Sequence, residues 1–163
     1  MKVLVAVASK HGSTEEIAEE IGRVLARTGI DNEVRPVEDA KAVHGYDAVV
    51  LGSAVYMGSW MDTAKNFVER HREALAIRPV WLFSSGPIGD SPHPTPEDAV
   101  DIGHIMAVTG AREHRLFGGR LDHHSLSFGE RAVMLSAHAP EGDRRDWDAI
   151  AAWGHRIAEE LLR

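Results

Sequence analysis

Six consecutive residues near the start of the chain combine hydroxyl groups with a glycine, a lysine and a histidine: Ser9, Lys10, His11, Gly12, Ser13 and Thr14. They follow a continuous apolar run over residues 3–8 and precede the start of a helical pattern at residue 15. A strand that ends in such a turn and leads into a helix directs backbone N–H groups and the positive end of the helix dipole towards one point. This arrangement favours the binding of a phosphate group.

Two further loops rich in glycine and serine follow predicted strands, at residues 52–60 and 84–90. Glycines let backbone amides approach a flat or anionic ligand closely. Three such loops in succession favour a ligand site over ordinary strand-to-helix turns. The patterns G-x-G-x-x-G and G-x-x-x-x-G-K-[ST] are both absent, which excludes a dinucleotide fingerprint and a nucleoside triphosphate loop.

The elements that must position these loops alternate along the chain. Apolar runs predict strands, and apolar residues at helical spacing predict helices between them. Residues Ser13 and Glu16 resemble a capping box at the first helix. Alternation of this kind predicts a parallel sheet covered by helices on both sides, in one domain over residues 1–163. The predicted strands are 2–8, 32–37 (a polar edge strand), 47–55, 79–85 and 112–119, and the predicted helices are 13–28, 60–75, one opening at Thr95-Pro96, and 144–162.

One stretch departs from this alternation. Residues 121–143 lie between the fifth strand and the last helix and contain a predicted short helix at 127–137. Arg120, Asp122 and His123 follow the fifth strand on the same edge of the sheet as the loops, so they are candidate substrate contacts. His11 and His93 are candidates too, each with the alternative of a loop residue that faces solvent.

Composition excludes several classes of function. The net charge is −7 without a clustered basic face, which argues against nucleic acid or an anionic membrane as a partner. The chain has no cysteine, so thiolate catalysis and iron–sulfur ligation are excluded. His123 and His124 are adjacent and no H-E-x-x-H motif is present, so no metal site is predicted. No apolar run is long enough to span a bilayer or form a secretory signal, which predicts a soluble cytoplasmic protein.

The first loop resembles the phosphate loop of flavodoxins, Ser/Thr-x-x-Gly-x-Thr, with Ser9, Gly12 and Thr14 in register. The resemblance implies a flavodoxin-like three-layer α/β sandwich, with a five-stranded parallel sheet in the order 2-1-3-4-5 and FMN as the cofactor. More narrowly, residues 52–60, 126–131 and 142–150 resemble the flavodoxin-domain proteins grouped with menaquinone-dependent protoporphyrinogen dehydrogenase.

The resemblance also implies the cofactor-binding residues. Residues 9–14 would hold the FMN phosphate, and the other two loops would line the two sides of the isoalloxazine ring. Tyr56 or Trp60 could stack on the ring. In the second loop the implied residues are Ser53, Ala54, Val55, Tyr56, Met57 and Gly58, and in the third Ser84, Ser85, Gly86, Pro87, Ile88, Gly89 and Asp90.

The third loop departs from that of electron-carrier flavodoxins, which usually place an aromatic residue there. Residues 84–90 contain none, and Pro87-Ile88 occupies the middle. This departure indicates a more open ring face, suited to a small-molecule or quinone substrate. No catalytic residue is predicted.

We therefore predict an FMN-binding oxidoreductase, with porphyrinogen oxidation and a quinone acceptor as one version. One alternative is a relative that binds a deazaflavin. A second is a non-catalytic electron carrier that docks on partner proteins, and a third is an interaction module that has lost its cofactor. The electron donor, the acceptor and the oligomeric state stay open.

Overall fold

A computed structural model of the protein describes residues 1–10, 12–86, 101–118, 120–121, 142–143 and 145–163. Within these ranges the chain alternates between strands and helices, as predicted. The strands are β1 (Lys2–Ala8), β2 (Asp31–Pro36), β3 (Ala48–Tyr56), β4 (Ser59–Trp60), β5 (Val80–Gly86), β6 (Glu113–Gly118), β7 (Arg120–Leu121) and β8 (Gly142–Asp143). The helices are α1 (Ser13–Arg27), α2 (Asp62–Arg70), α3 (Arg72–Ala76), α4 (Gly103–Thr109) and α5 (Trp147–Leu161).

The main sheet has the strand order β2-β1-β3-β5-β6, and all four of these pairings are parallel. Because β5 and β6 are the fourth and fifth predicted strands, the predicted order 2-1-3-4-5 is confirmed. The short strand β4 was not predicted. It pairs antiparallel with the end of β3 and lies off the main path of the sheet.

The core consists of two apolar layers, one on each side of the sheet. Val3, Val5 and Val7 of β1 pack on the side of α1 and α5. Leu4 and Ala6 alternate with them and pack on the side of α2, α3 and α4. A strand buried on both faces needs apolar residues at every position, which explains the continuous apolar runs in the sequence.

Strand β2 forms a polar edge of the sheet, as predicted. Its Glu33 accepts hydrogen bonds from Arg35 Nε at 2.8 Å and Tyr46 Oη at 2.6 Å, and it pairs with Lys2 Nζ at 2.7 Å. These contacts, that with Lys2 first, lower the pKa of the Glu33 carboxyl to about 2. Charged side chains and Pro36 on an edge strand disfavour pairing with another chain.

Two local predictions differ from the structure, and a third lies outside the described residues. The predicted capping box is wrong: Gly12 occupies the N-cap of α1 in a left-handed conformation, and no side-chain cap hydrogen bond is formed. The predicted helix 60–75 begins later and is divided in two. It begins at Asp62 because residues 59–60 pair with β3, and it divides at His71, where the chain leaves helical geometry. The helix predicted to open at Thr95 lies outside the described residues, which show α4 from Gly103.

The predicted extra segment 121–143 begins and ends at one place, since β7 and β8 pair antiparallel through Arg120–Asp143 and Leu121–Gly142. Its predicted helix at 127–137 lies outside the described residues. Among the helices that the structure describes, none is long and apolar enough to cross a membrane. The cytoplasmic location and the single domain stay predictions.

Candidate functional site

The three glycine- and serine-rich loops meet at one edge of the sheet. Ala8 at the end of β1 is in register with Ser53 of β3, and Ser53 is in register with Ser84 of β5. Parallel strands place their carboxyl ends side by side, which is where open α/β sheets bind ligands. The fold therefore brings together the starts of all three predicted loops.

The first loop is shaped by a local hydrogen bond and by one glycine. Ser9 Oγ accepts the Gly12 N–H at 3.1 Å, and Gly12 has a φ of +84°, a conformation that other residues rarely adopt. The first helical hydrogen bond of α1 runs from Glu16 N–H to the Gly12 carbonyl at 3.1 Å. The backbone N–H groups of Ser13, Thr14 and Glu15 thus have no partner within the helix and can donate to a ligand.

The side chains of this loop differ in exposure. Thr14 is buried, Ser9 and Ser13 are partly buried, and Lys10 is exposed. His11 lies outside the described residues. The groups of this loop that are left open to a ligand are therefore mainly backbone N–H groups, and the phosphate site stays a prediction.

An arginine that the sequence analysis did not single out lies beside the first turn of α1. Arg145 Nη1 is 3.3 Å from the Ser13 carbonyl oxygen and 3.4 Å from Glu16 Oε1, and its guanidinium lies 4.7 Å from the centre of the Trp147 ring. Only 4% of its side chain is exposed. In the sequence Arg145 is flanked by acidic residues, and no local signal indicates a contact 132 positions away.

The second loop is mostly strand and ends in a hairpin. Tyr56 pairs with Ser59 across Met57 and Gly58, which have φ values of 53° and 76°. Two positive φ values in a two-residue connection are typical of a type I′ turn. The exposed side chain of Met57 lies at the tip, and the Gly58 carbonyl accepts the Asp101 N–H at 2.8 Å. All six predicted residues of this loop belong to β3 or to its turn: Ser53, Ala54, Val55, Tyr56, Met57 and Gly58.

A buried polar network fastens this hairpin to the sheet. Trp60 Nε1 donates to Ser84 Oγ at 2.7 Å, and Ser84 Oγ lies 2.7 Å from His114 Nε2. Ser53 Oγ accepts the Met61 N–H at 3.0 Å. Because Trp60 is only 2% exposed, it cannot stack on a ligand, and partly buried Tyr56 is the remaining aromatic candidate. Sequence reasoning missed His114, which lies in a strand of ordinary composition.

The third loop begins inside β5, which extends to Gly86. Ser85 Oγ is buried and has no hydrogen-bond partner among the described residues. An unpaired buried hydroxyl is costly, so it favours a ligand that can pair with it. Pro87, Ile88, Gly89 and Asp90 lie outside the described residues, and so do His93, Asp122 and His123.

A second concave feature lies between α2 and α4, next to the hairpin. Its volume is about 280 Å³, and the wall combines both charges with apolar side chains. The His104 contact to Glu69 at 2.8 Å lowers the pKa of the Glu69 carboxyl. The residues that line this concave feature include Lys65, Val68, Glu69, Asp101, His104 and Ile105.

No group of three or more metal-binding side chains occurs in the part of the chain that the structure describes.

These features fit FMN, the cofactor that the sequence implies. The free amides at the start of α1 suit its phosphate. The space beside Gly12 is open, because no atom lies within 4 Å of the position that a Cβ would take. The unpaired Ser85 hydroxyl and the hairpin backbone are available to the remaining parts of FMN.

Comparison with known proteins agrees with this geometry. The sequence profile of the family described as "Flavodoxin domain" matches residues 4–148. The chain is 28% identical to the protoporphyrinogen IX dehydrogenase [quinone] of Escherichia coli strain K12, over 97% of this chain and 95% of that protein.

Solved structures show the same fold. An archaeal flavodoxin has a TM-score of 0.67 at 18% identity, with 100% of both chains covered. A Fusobacterium nucleatum flavodoxin mutant bound to flavin mononucleotide has a TM-score of 0.53 at 17% identity, with 71% of this chain and 66% of that one covered.

Proposed function

Because the chain belongs to the flavodoxin domain family, whose cofactor is FMN, we propose that it is a flavin-dependent oxidoreductase with FMN at the carboxyl edge of its sheet. The observation that carries the proposal is the open backbone cradle at Gly12, at the start of a 15-residue helix. When bound, FMN supplies the electron transfer. The protein supplies anchoring, orientation and the electrostatic environment.

Anchoring is the task of the first loop. The N–H groups of Ser13, Thr14 and Glu15 would donate to the phosphate oxygens, where each charge-assisted hydrogen bond is worth about 1.5–3 kcal/mol. The Ser9 hydroxyl already holds the Gly12 amide, so the loop needs little rearrangement to bind. A preformed loop lowers the entropic cost of binding.

Orientation of the ring is the task of the second and third loops. The side chains of Ser53 and Ser84 are engaged in internal hydrogen bonds, so we assign ring contacts to the backbone of the hairpin and to the Ser85 hydroxyl. Tyr56 would cover one face of the ring. The buried Trp60–Ser84–His114 network keeps the hairpin in place.

For the reaction we propose oxidation of a porphyrinogen-type donor, with a quinone as the acceptor. Support comes from the similarity to the protoporphyrinogen IX dehydrogenase [quinone] of Escherichia coli, which extends over nearly the whole length of both proteins. The lack of an aromatic residue at 84–90 also supports it, because an uncovered ring face leaves room for a substrate.

The experiment is an anaerobic two-stage assay on the protein loaded with FMN. Protoporphyrinogen IX should bleach the flavin absorption, and menadione, a soluble menaquinone analogue, should then restore it. The protein without FMN is the control for direct reaction between donor and quinone. A flavoprotein that is not bleached faster than free FMN would contradict the proposed donor.

A second candidate is an electron carrier that docks on partner proteins. It is favoured by Met57, whose side chain is 76% exposed at the tip of the hairpin and offers an apolar contact. A carrier should be reduced by dithionite and pass electrons to cytochrome c, yet be inert to protoporphyrinogen IX and menadione. Parallel titrations with FMN and a deazaflavin cofactor test the remaining alternative, since a deazaflavin protein should prefer the latter.

A further inference from the structure

Arg145 joins the beginning of α5 to the first turn of α1. Its guanidinium is held on three sides, by the Ser13 carbonyl at 3.3 Å, by Glu16 Oε1 at 3.4 Å and by the face of Trp147 at 4.7 Å. Stacking on an aromatic ring fixes the orientation of a planar guanidinium. The positive charge is therefore held in a fixed place beside the first turn of α1.

The charge balance of this turn shows what such a cation can do. Glu15 and Glu16 both lie in the first turn of α1, where their carboxylates would repel a phosphate. The side chain of Lys10 is exposed, so solvent screens its charge. The Arg145 side chain is 4% exposed, and a charge shielded from water acts more strongly on its neighbours.

We propose that Arg145 is the positioning residue that makes this site selective for a phosphorylated flavin. By pairing with Glu16 it offsets the carboxylate that would otherwise repel the phosphate, so it acts through Glu16 on the amides at the start of α1. The inference rests on the proposed FMN site. It adds a contribution from the far end of the chain to the backbone N–H groups at the start of α1.

A purely structural role for Arg145 makes a different prediction. If the residue only tied α5 to α1, its loss would weaken the fold and would lower the affinity for any flavin equally. Riboflavin separates the two roles, because it carries the same ring and ribityl chain as FMN but no phosphate.

The test compares dissociation constants for FMN and riboflavin, measured by quenching of flavin fluorescence at low and high salt. Arg145→Gln should weaken FMN binding about tenfold, the effect of one lost charged interaction, and leave riboflavin binding within twofold. Arg145→Lys should retain part of the preference for FMN, since it keeps the charge without the stacked plane. High salt should reduce the difference between the wild type and Arg145→Gln.

Arg156→Gln is the matched control. Arg156 lies on α5 itself and pairs with Glu113 at 2.9 Å, but its side chain is 52% exposed. Its loss should change neither dissociation constant. Thermal unfolding of each variant without flavin, followed by circular dichroism, reports any effect on the fold.

Two results would overturn the inference: equal weakening of FMN and riboflavin in Arg145→Gln, or no weakening of either. If Arg145→Gln does not fold, Glu16→Gln tests the same point, because removal of the opposing carboxylate should tighten FMN binding and leave riboflavin unchanged. Unchanged FMN binding in that variant would contradict the inference. A wild-type protein that binds neither flavin would instead overturn the proposed function itself.

Discussion

Two adjacent serines at the end of β5 have opposite environments. Ser84 Oγ accepts the Trp60 indole N–H and contacts His114, whereas Ser85 Oγ is equally buried and has no partner among the described residues. Successive side chains of a strand point to opposite faces, so one serine serves the fold and the other is available to a ligand.

Ser84→Ala should therefore lower the free energy of unfolding of the flavin-free protein by about 1–3 kcal/mol, because it leaves the Trp60 N–H buried without an acceptor. Ser85→Ala is the matched control and should not lower it, since no described hydrogen bond is lost and an unpaired buried hydroxyl is removed. Urea denaturation measures both. Equal losses in the two variants would contradict the assignment of roles.

Gly12 makes a second prediction at this scale. Its φ of +84° is strained for a β-branched side chain although there is space around it. Gly12→Val combined with Thr14→Ala should abolish retention of FMN through purification and leave the far-ultraviolet circular dichroism spectrum unchanged. Gly12→Asn is the control, because asparagine tolerates the left-handed region, and it should retain FMN. Retention of FMN by the double variant would place the phosphate elsewhere.

At the scale of elements, the edge strand β2 depends on one carboxylate. Glu33 is contacted by Lys2, Arg35 and Tyr46, which lie on β1, on β2 and on the connection to β3. Charges on an edge limit unwanted pairing, and here they also join neighbouring parts of the sheet.

This cluster predicts a dependence of stability on acid. The pKa of Glu33 falls from 4.5 to about 2 in the folded protein. A lowered folded pKa means that the contribution is fully present above about pH 4.5 and is lost as the pH falls towards about 2. Unfolding midpoints of the wild type and Glu33→Gln should therefore differ at pH 6 and converge near pH 2.

Glu159→Gln, a substitution on the exposed face of α5, is the control and should follow the wild type across this range. A gap between the wild type and Glu33→Gln that stays constant down to pH 2 would show that the carboxylate is not responsible.

Helices α1 and α5 illustrate how an element positions a site. A Cβ at Gly154 would lie 3.1 Å from the Val24 side chain, so the glycine permits close approach of the two helices. Close approach brings Arg145, two residues before α5, to the first turn of α1. The packing of the two helices thus positions the residue that we propose to act in phosphate recognition.

At the scale of the whole molecule, a ligand that binds only the folded state stabilises it by mass action. At a free FMN concentration of 100 times its dissociation constant the gain is about 2.7 kcal/mol. For a chain of this size the melting temperature should rise by roughly 5–10 °C. Riboflavin at the same concentration should raise it less, because the phosphate contacts are missing.

Differential scanning fluorimetry, with a readout that does not depend on the flavin, measures this shift. The control is the double variant Gly12→Val with Thr14→Ala, which should not bind FMN. An equal shift in that double variant would show that the added flavin acts away from the phosphate loop.

The sequence by itself determined the order of the elements, the parallel sheet and the glycine-containing turn before α1, because each depends on neighbouring residues: apolar periodicity, a glycine in a turn and the start of a helix. Only the tertiary structure decided that Trp60 is buried against Ser84 and not free to stack, that the turn at Met57 closes a hairpin, and that Arg145 lies 3.3 Å from Ser13. The contact between Trp60 and Ser84 joins positions 24 residues apart, and the contact between Arg145 and Ser13 joins positions 132 residues apart. Which distant side chains meet is set by the packing of helices and strands against each other, and no local pattern in the sequence records it.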